Sequence, residues 1–390
     1  MKKKTTFMGY VRKDGKVGVR NYVAVLPSVV CVSEVVEAIV SRTINTQGIL
    51  HHQGCCQTPP DLVRTTDCLI KIGENPNVGA ILIVSLGCEG VDTDRLEKTL
   101  RETGKPVERI NVQELGGTSR AIQEGIDKAQ KLEMMISGMQ RTEVDASNLL
   151  VGIKCGASDT TSGIASNPVI GYVADKIVDL GGTVVFGETT EFIGAEQVLK
   201  HRAKNAQVAA DIDRIVQRME NRAKAVGVDM REGQPTPGNI KGGLSTIEEK
   251  SLGAIVKSGT RTIQGVIEYT ETPKGKGLWI KDSPGREIEL LSGMAVAGAD
   301  IIMFSTGRGA PQGFPVVPVM KICGNPITYQ KMIHDMDVNA GLITLGEKSV
   351  EEIGEQTLEM LLRVASGETT KGESIKYCKS MDFYMLGPVI

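Results

Sequence analysis

The stretch LLVGIKCGASDTTSGIASNPVIGY, residues 149–172, decides the fold because its character changes in the middle. It begins as a short apolar run, which is typical of a buried strand, and it continues after Pro168 in the pattern of a helix. Between these two parts lie Gly156, Gly163 and a group of hydroxyl side chains. One or two capping residues suffice to begin a helix, so the surplus of polar groups indicates a loop that binds a ligand, and the following helix N-terminus favours an anion.

The same succession of apolar run, polar glycine-containing loop and helical pattern recurs along the chain. NYVAVLP precedes SEVVEAIVSR, NVGAILIVSLGCEG precedes DTDRLEKTLRETG, and TVVFGETTE precedes GAEQVLKHRA. Short strands that alternate with helices predict an α/β fold with largely parallel sheets and helices packed on them. A polar joint near residues 141–147 divides the chain into two predicted α/β domains, residues 1–145 and 146–390.

Composition excludes several classes of function. The 390 residues contain 45 Lys and Arg and 47 Asp and Glu, for a net charge of −2, and only 4% are aromatic. This balance argues against a nucleic-acid binder. No apolar run approaches the roughly 18 residues that cross a bilayer. The basic start is not followed by the apolar region and cleavage site of a signal peptide. We therefore expect a cytoplasmic protein that binds neither membrane nor nucleic acid. Its eight cysteines are expected to be thiols.

Some of these cysteines lie in polar loops and are candidate metal ligands. HHQGCC places His52 three residues before Cys55, and the loops LGCEG and IKCGAS each contribute one cysteine, Cys88 and Cys155. Imidazole and thiolate ligands suit iron or zinc, and Glu89 adds a carboxylate. One iron ion and a three-thiolate iron–sulfur cluster are both compatible, but the cluster is the weaker interpretation because Cys-x-x-Cys spacing is absent.

Four other segments carry residues suited to catalysis or to substrate binding. GETTE contains Glu188 and Glu191, which are candidate bases or ligands. Arg308, between two glycines in FSTGRGAPQG, is suited to bind a carboxylate through two parallel hydrogen bonds. GNIKGGLSTIEEKSLG is loosened by glycines and resembles a closing lid that carries Lys241. A hairpin explains the basic residues of RKDGKVGVRN, and the alternative is a substrate contact by Arg20 and Asn21.

Seven motifs together resemble one known family, the altronate and galactarate dehydratases. The motifs are GYVRKDGKVGVRNY, LGCEG, KCGASDTTSGIASNP, GETTEFIGAE, GGLSTIEEKSLG, FSTGRGAPQG and DMDVNAG. The sulfolactate sulfo-lyase large subunit is similar in the same way. The resemblance extends from Gly9 almost to the C-terminus and implies a lyase that removes a proton beside a carboxylate and expels a β-substituent.

The resemblance also implies a divalent metal, Fe²⁺ in the first place and Mn²⁺ in the second, bound by His52, Cys55, Cys88, Glu89 and Cys155. It implies a base or acid among Lys154, Glu188, Glu191 and Lys241. It implies substrate contacts from Arg20, Asn21, Ser158, Asp159, Thr161, Asn167 and Arg308. Single-chain members carry a small SAF-type domain before the GYVR motif, so we expect a separate small SAF-type subunit here, and an oligomeric enzyme.

Three functions remain open from the sequence. Dehydration of a sugar acid to a 2-keto-3-deoxy acid is the leading prediction, and cleavage of sulfolactate to pyruvate and sulfite is the second. A nucleotide- or phosphate-binding module is the alternative from another class. That module would need a P-loop or a complete G-x-G-x-x-G at the first strand turn, and the sequence contains neither there.

Overall fold

The computed structural model describes residues 5–388 and 390. Its strands, in chain order, are β1 (Thr6–Val11), β2 (Val17–Gly18), β3 (Tyr22–Pro27), β4 (Thr46–Gly48), β5 (Val78–Ser85), β6 (Val107–Asn111), β7 (Thr142–Asp145), β8 (Leu150–Cys155), β9 (Thr183–Phe186), β10 (Ile263–Ile267), β11 (Gly277–Lys281), β12 (Ile301–Thr306), β13 (Val319–Cys323) and β14 (Val338–Asn339).

Helices fill most of the intervals between the strands. They are α1 (Ser33–Val40), α2 (Pro59–Glu74), α3 (Thr93–Glu102), α4 (Thr118–Ser137), α5 (Asn167–Asp179), α6 (Glu196–Lys200), α7 (Ala206–Lys224), α8 (Met230–Gly233), α9 (Pro237–Lys241), α10 (Ile247–Ile255), α11 (Glu287–Val296), α12 (Pro326–Lys331), α13 (Gly341–Thr344), α14 (Val350–Ala365) and α15 (Lys371–Ser374). None of the helices in the described part of the chain has the length and apolarity to cross a membrane.

Two parallel sheets form the centres of the two halves of the molecule. The first has the strand order β4-β3-β5-β6, and the second has the order β10-β11-β9-β8-β12-β13-β14. Two interior strands, β5 of the first sheet and β12 of the second, are buried along their whole length, because helices cover both faces of a parallel sheet. This architecture confirms the predicted α/β class. The predicted boundary after residue 145 coincides with the end of β7 and stays a prediction.

A small antiparallel sheet, β2-β1-β7, joins the start of the chain to the end of its first half. The Arg12 N–H donates to the Lys16 carbonyl at 2.8 Å, and Gly15 adopts a φ of 81° in the turn between β1 and β2. The structure therefore supports a hairpin for the basic segment RKDGKVGVRN, rather than a substrate contact.

The end of the chain returns to the first half. Residues 377–388, which we term the C-terminal strap, form neither helix nor strand. The N–H groups of Leu386 and Gly387 donate to the two carboxylate oxygens of buried Asp61, at 2.9 and 2.6 Å. The Phe383 ring lies 5.1 Å from the buried His51 ring. The C-terminal strap therefore packs against residues of the first half of the chain, namely His51 and Asp61.

Candidate active site

The loop that follows β8 begins the candidate site. A helical turn starts at residue 160, passes through a π-helical segment (Ser162–Ser166) and continues as α5. Asp159 caps this turn, because its Oδ1 accepts hydrogen bonds from the Ser162 N–H at 3.0 Å and from Thr161 Oγ1 at 2.6 Å. The predicted change from strand to helix is confirmed, and the inserted π segment is a feature that often marks functional sites.

Directly below this loop lies a buried group of four charged side chains. Lys154 Nζ donates to Glu188 Oε1 at 2.5 Å, and Lys257 Nζ donates to Glu188 Oε2 at 2.5 Å. Lys257 also forms a hydrogen-bonded ion pair with Glu191. We term this group the ionic cluster; its members are at most 5% exposed, and they are Lys154, Glu188, Glu191 and Lys257.

The electrostatics of the ionic cluster separate the two carboxylates. Burial raises the pKa of Glu188, and the neighbouring Glu191 carboxylate raises it further. Burial also acts upward on Glu191 and is the largest single influence, but the ammonium groups of Lys257, Lys250 and Lys154 together hold the pKa of Glu191 below its usual value. For the two lysines burial acts downward, yet the carboxylates raise the pKa of both. Carboxylates whose pKa values are pushed apart are a recurrent basis for dividing acid and base roles.

Glu188 also has an unusual backbone. Its φ of 69° lies in the left-handed region, which non-glycine residues rarely adopt. Its Oε2 accepts a hydrogen bond from the Cys155 N–H at 3.0 Å, which ties it to the end of β8. The next residue, Thr189, is held by Asp282, since Thr189 Oγ1 donates to Asp282 Oδ1 at 2.6 Å. Backbone outliers of this kind cluster at active sites.

A cavity of about 370 Å³ opens on the other side of the same loop. We term it the cationic cavity; its lining residues are Asp159, Lys241, Gly242, Arg308, Asn325, Thr328, Lys331 and Met332. Neither Lys241 nor Lys331 forms an ion pair within the described chain, and the single carboxylate of the lining, Asp159, accepts a hydrogen bond from Asn325. Three cations with one engaged carboxylate make this cavity suited to an anionic ligand.

One wall of the cationic cavity is a short segment, residues 236–243, that we term the lid. Asn239 Nδ2 donates to the Ser158 carbonyl at 2.9 Å, and the Thr160 N–H donates to the Gly242 carbonyl at 3.0 Å. Arg308 Nη1 hydrogen-bonds the Gly238 carbonyl. The lid thus contacts both Arg308 and the loop of residues 155–167, which we term the signature loop. Lys241, from the predicted closing segment 238–253, lines the cavity, and closure of that segment stays a prediction.

Two family models match the chain, and together they span most of it. The model described as D-galactarate/altronate dehydratase, C-terminal, matches residues 146–386. The model described as D-galactarate dehydratase/altronate hydrolase, second domain, matches residues 9–137. The chain belongs to the galactarate/altronate dehydratase family.

Curated relatives within the galactarate/altronate dehydratase family have different names. The chain is 40% identical to (2R)-sulfolactate sulfo-lyase subunit beta of Chromohalobacter salexigens, over 95% of each chain. It is 32% identical to altronate dehydratase of Bacillus subtilis, over 94% of this chain and 75% of that enzyme. It is 33% identical to galactarate dehydratase (L-threo-forming) of Escherichia coli, over 93% of this chain and 73% of that enzyme.

In this family member, two predicted substrate contacts lie elsewhere. Arg20 is 6% exposed, donates to both Glu373 oxygens at 2.7 and 2.9 Å, and also donates to backbone carbonyls. Asn21 accepts from Arg12 at 2.7 Å and donates to the Ile136 carbonyl at 3.0 Å. Both side chains are fully engaged in joining the small antiparallel sheet to its neighbours, so the structure does not bring them to the cationic cavity.

The predicted polar residues of the signature loop are close to the site but mostly bind the protein itself. Ser158 Oγ contacts Cys155 Sγ at 3.1 Å, and Thr161 donates to Asp159. Asn167 Nδ2 donates to the Gly253 carbonyl at 2.8 Å, whereas its buried Oδ1 has no hydrogen-bond partner in the described chain. Arg308 and Asp159 are the predicted substrate contacts that line the cavity.

The predicted metal ligands are not assembled into one site. The loops of Cys55 and Cys88 are neighbours, since the Gly90 N–H donates to the Gly54 carbonyl at 2.9 Å. Glu89 is engaged by Ser28, His52 faces Asp382, and Cys155 lies in the core of the other half. Across residues 5–388 and 390, no three His, Cys, Asp or Glu side chains are placed to hold one metal ion. The five predicted ligands therefore do not meet at one place in the described chain, and the divalent metal stays a prediction.

The buried position of Cys155 indicates that its replacement will not change the metal content of the protein. Because its thiol packs at 1% exposure against Ser158, we expect Cys155→Ala to retain the same iron content per chain as the unmodified protein after anaerobic isolation. The matched control is Cys323→Ala, a second buried cysteine at the end of β13. Loss of iron from the Cys155 variant alone would make Cys155 a ligand and contradict this expectation.

Sequence reasoning missed Lys257 and the cavity residues Asn325 and Lys331. A signal for Lys257 does exist in the periodicity of α10, whose inward face includes Ile247, Ser251 and Ala254. Position 257 follows Ala254 by three residues and falls on the same face. A lysine at a position that the helical period assigns to the core requires a buried anion as its partner, and that requirement would have drawn attention to it.

Proposed function

We propose that this lyase eliminates a β-substituent from a small hydroxy acid that carries a second anionic group. The first candidate is the cleavage of (2R)-sulfolactate to pyruvate and sulfite. The observation that carries the proposal is the arrangement of the signature loop, which has the ionic cluster at Cys155 and the cationic cavity at Asp159. The loop residue that binds the proposed proton acceptor Glu188, Cys155, is thus four residues from Asp159, which lines the anion-binding cavity.

Each part of the elimination has residues suited to it. The proton on the carbon beside a carboxylate is weakly acidic until the carboxylate's charge is offset, and the Arg308 guanidinium is suited to offset it. Glu188, held by Lys154 and Lys257, takes the proton as general base. The electron pair of the broken C–H bond forms the double bond of an enol as sulfite departs from the next carbon. The enol then becomes pyruvate.

Similarity and charge both support sulfolactate as the first candidate. The sulfo-lyase subunit is the relative with 40% identity over 95% of both chains. Its substrate carries a carboxylate and a sulfonate, and the cavity offers Arg308 for one group and Lys241 with Lys331 for the other. Sulfite leaves with the bonding electrons and needs no proton, so the site does not require a second acid.

Dehydration of a sugar acid is the second candidate. The altronate and galactarate dehydratases are 32% and 33% identical to the chain. A cavity of about 370 Å³ also has room for a longer polyhydroxy acid. In that reaction the leaving hydroxyl must receive a proton to depart as water, and the Lys154 or Lys241 ammonium is the donor available at the site.

The proposal includes a partner and retains iron as a prediction. The sulfo-lyase relative is named as a subunit, and we propose that this chain works with a small SAF-type subunit in an oligomer. Iron, with manganese as its alternative, follows from the family resemblance alone. Because the predicted ligands are not assembled, we derive no chemical step from a metal.

The assay that tests the proposal uses the native assembly, isolated anaerobically, with sulfolactate, altronate and galactarate in turn. Sulfite and pyruvate in equal amounts from sulfolactate support the first candidate. A 2-keto acid from altronate or galactarate, without sulfite, supports the second. Tight binding of ATP or NAD with no elimination from any of the three acids would overturn both and favour the phosphate-binding module.

Replacing Arg308 is expected to weaken substrate binding more than it slows the reaction. Arg308→Lys removes the parallel pair of hydrogen bonds and keeps the charge, so we expect KM for the accepted acid to rise about tenfold, equivalent to roughly 1.4 kcal/mol. The kcat should stay within about threefold. Arg261→Lys, a surface arginine paired with Asp179, is the control. An unchanged KM in the Arg308 variant would place substrate binding elsewhere.

A further inference from the structure

Lys257 occupies a position that no motif of the sequence singles out. It lies in the 3₁₀ turn Val256–Ser258 that follows α10, and it is 0% exposed. Its Nζ reaches both carboxylates of the ionic cluster, Glu188 at 2.5 Å and Glu191 in an even closer contact. A fully buried lysine is costly unless its charge is matched, and here two carboxylates match it.

The backbone around Lys257 is fixed from two sides. On one side it lies against α5, since a Cβ on Gly171 would be 2.4 Å from the Val256 carbonyl oxygen. On the other side Arg202 Nη1 donates to Ser258 Oγ at 2.9 Å, and Arg202 Nη2 donates to the Ser258 carbonyl at 3.1 Å. The backbone on either side of Lys257 is therefore held by α5 and by Arg202.

The two lysines of the ionic cluster have different partners. Lys154 binds Glu188 and two backbone carbonyls, those of Cys155 and Gly285. Within the described chain, Lys257 is the one ammonium that is hydrogen-bonded to Glu191. It is thus the group that joins the two carboxylates, and without it Glu191 has no direct counter-ion.

We propose that Lys257 is a positioning residue, which holds Glu188 and Glu191 together at one place so that the pair can accept the substrate's α-proton. This inference rests on the proposed elimination. Lys257 need not touch the substrate, because its contacts are to the carboxylates alone. Loss of such a contact changes the geometry of the reacting groups more than it changes substrate binding.

The test compares Lys257→Met and Lys257→Arg with the unmodified native assembly, using whichever acid the enzyme accepts. Met has a similar length without the charge, and we expect kcat to fall about a hundredfold with KM within about threefold. Arg restores a cation that can bind two carboxylates but with a different geometry, so we expect kcat to recover to between about a tenth and about a half of the original value. Lys176→Met on α5, where the lysine pairs with surface Glu355, is the control.

Circular dichroism and the thermal midpoint establish whether each variant is folded. If Lys257→Met does not fold, the test rests on Lys257→Arg. A lower kcat with an unchanged KM in that variant supports the role of Lys257 in positioning the two carboxylates. Equal kcat in all folded variants, or a rise in KM without a change in kcat, would overturn the role of Lys257 alone. Absence of elimination from the unmodified assembly would overturn the proposed function, and the role of Lys257 with it.

Discussion

Replacing Glu188 by Gln is expected to lower kcat by about 10²–10⁴ while KM for the acid changes little, because a general base contributes to the transition state by roughly this factor. Glu188 is 0% exposed, and its carboxylate accepts hydrogen bonds from two ammonium groups and one backbone N–H. A Gln side chain is neutral, so it cannot balance the charge of the two lysines. Steady-state kinetics on the anaerobically isolated assembly measures the effect.

Stability must be followed in the same Glu188 variant. Removing one carboxylate leaves two buried lysines with one counter-ion, a change that costs about 3–5 kcal/mol in comparable buried pairs. Glu188→Asp keeps the charge and withdraws the carboxylate, so it should remain folded and still lose activity. Glu355→Gln, at a surface glutamate that pairs with Lys176, is the control for the chemistry of the substitution. A folded Glu188→Gln enzyme with kcat within tenfold of the original would remove Glu188 from the mechanism.

Asp300 is expected to make the protein less stable as the pH rises. Burial raises its pKa from 3.8 to about 8, although the Leu150 N–H, which donates to Oδ2 at 2.7 Å, acts in the opposite direction. In the unfolded chain the carboxyl loses its proton near pH 4, whereas in the folded protein it keeps the proton until about pH 8. The folded state therefore binds more protons in this window, and stability falls by up to about 1.4 kcal/mol per pH unit.

The matched variant for this effect is Asp300→Asn. Its amide oxygen still accepts from Leu150 but does not titrate, so its stability relative to the original protein should increase by roughly 3 kcal/mol between pH 5 and 8. Denaturant or thermal unfolding at several pH values measures this difference, and other titrating groups cancel in the comparison. Parallel stability curves for the two proteins would show that Asp300 is already ionised in the folded state.

Much of the fold is readable from the sequence because local signals agree with the global architecture. In β5 and β8 apolar runs end at polar loops, and the helices that follow begin near the predicted places. The order of the strands in the two sheets is not readable in this way. It depends on which helices cover which face, and adjacent motifs such as GETTE and KCGAS give no sign that β8 and β9 are direct neighbours.

Several residues of the candidate site were predicted because they lie at strand ends, whereas Lys257 was missed because it does not. Lys154, Glu188 and Glu191 lie at or after strand ends, and the parallel sheet brings them together. Lys257 lies in the 3₁₀ turn after α10, and its ion pairs with Glu188 and Glu191 are visible only in the tertiary structure. Cys155 is the last residue of β8 in the second sheet, whereas the single-ion hypothesis required it to meet ligands that follow strands of the first sheet.

The contacts of the C-terminal strap affect when the first half of the chain can fold completely during translation. Asp61 and the Leu386 N–H that binds it are 325 residues apart. At about 5–20 residues per second, a ribosome needs roughly 15–65 seconds to travel that distance. During this interval the nascent first half is without the partner of its buried carboxylate, and it reaches its native packing only when translation is nearly finished.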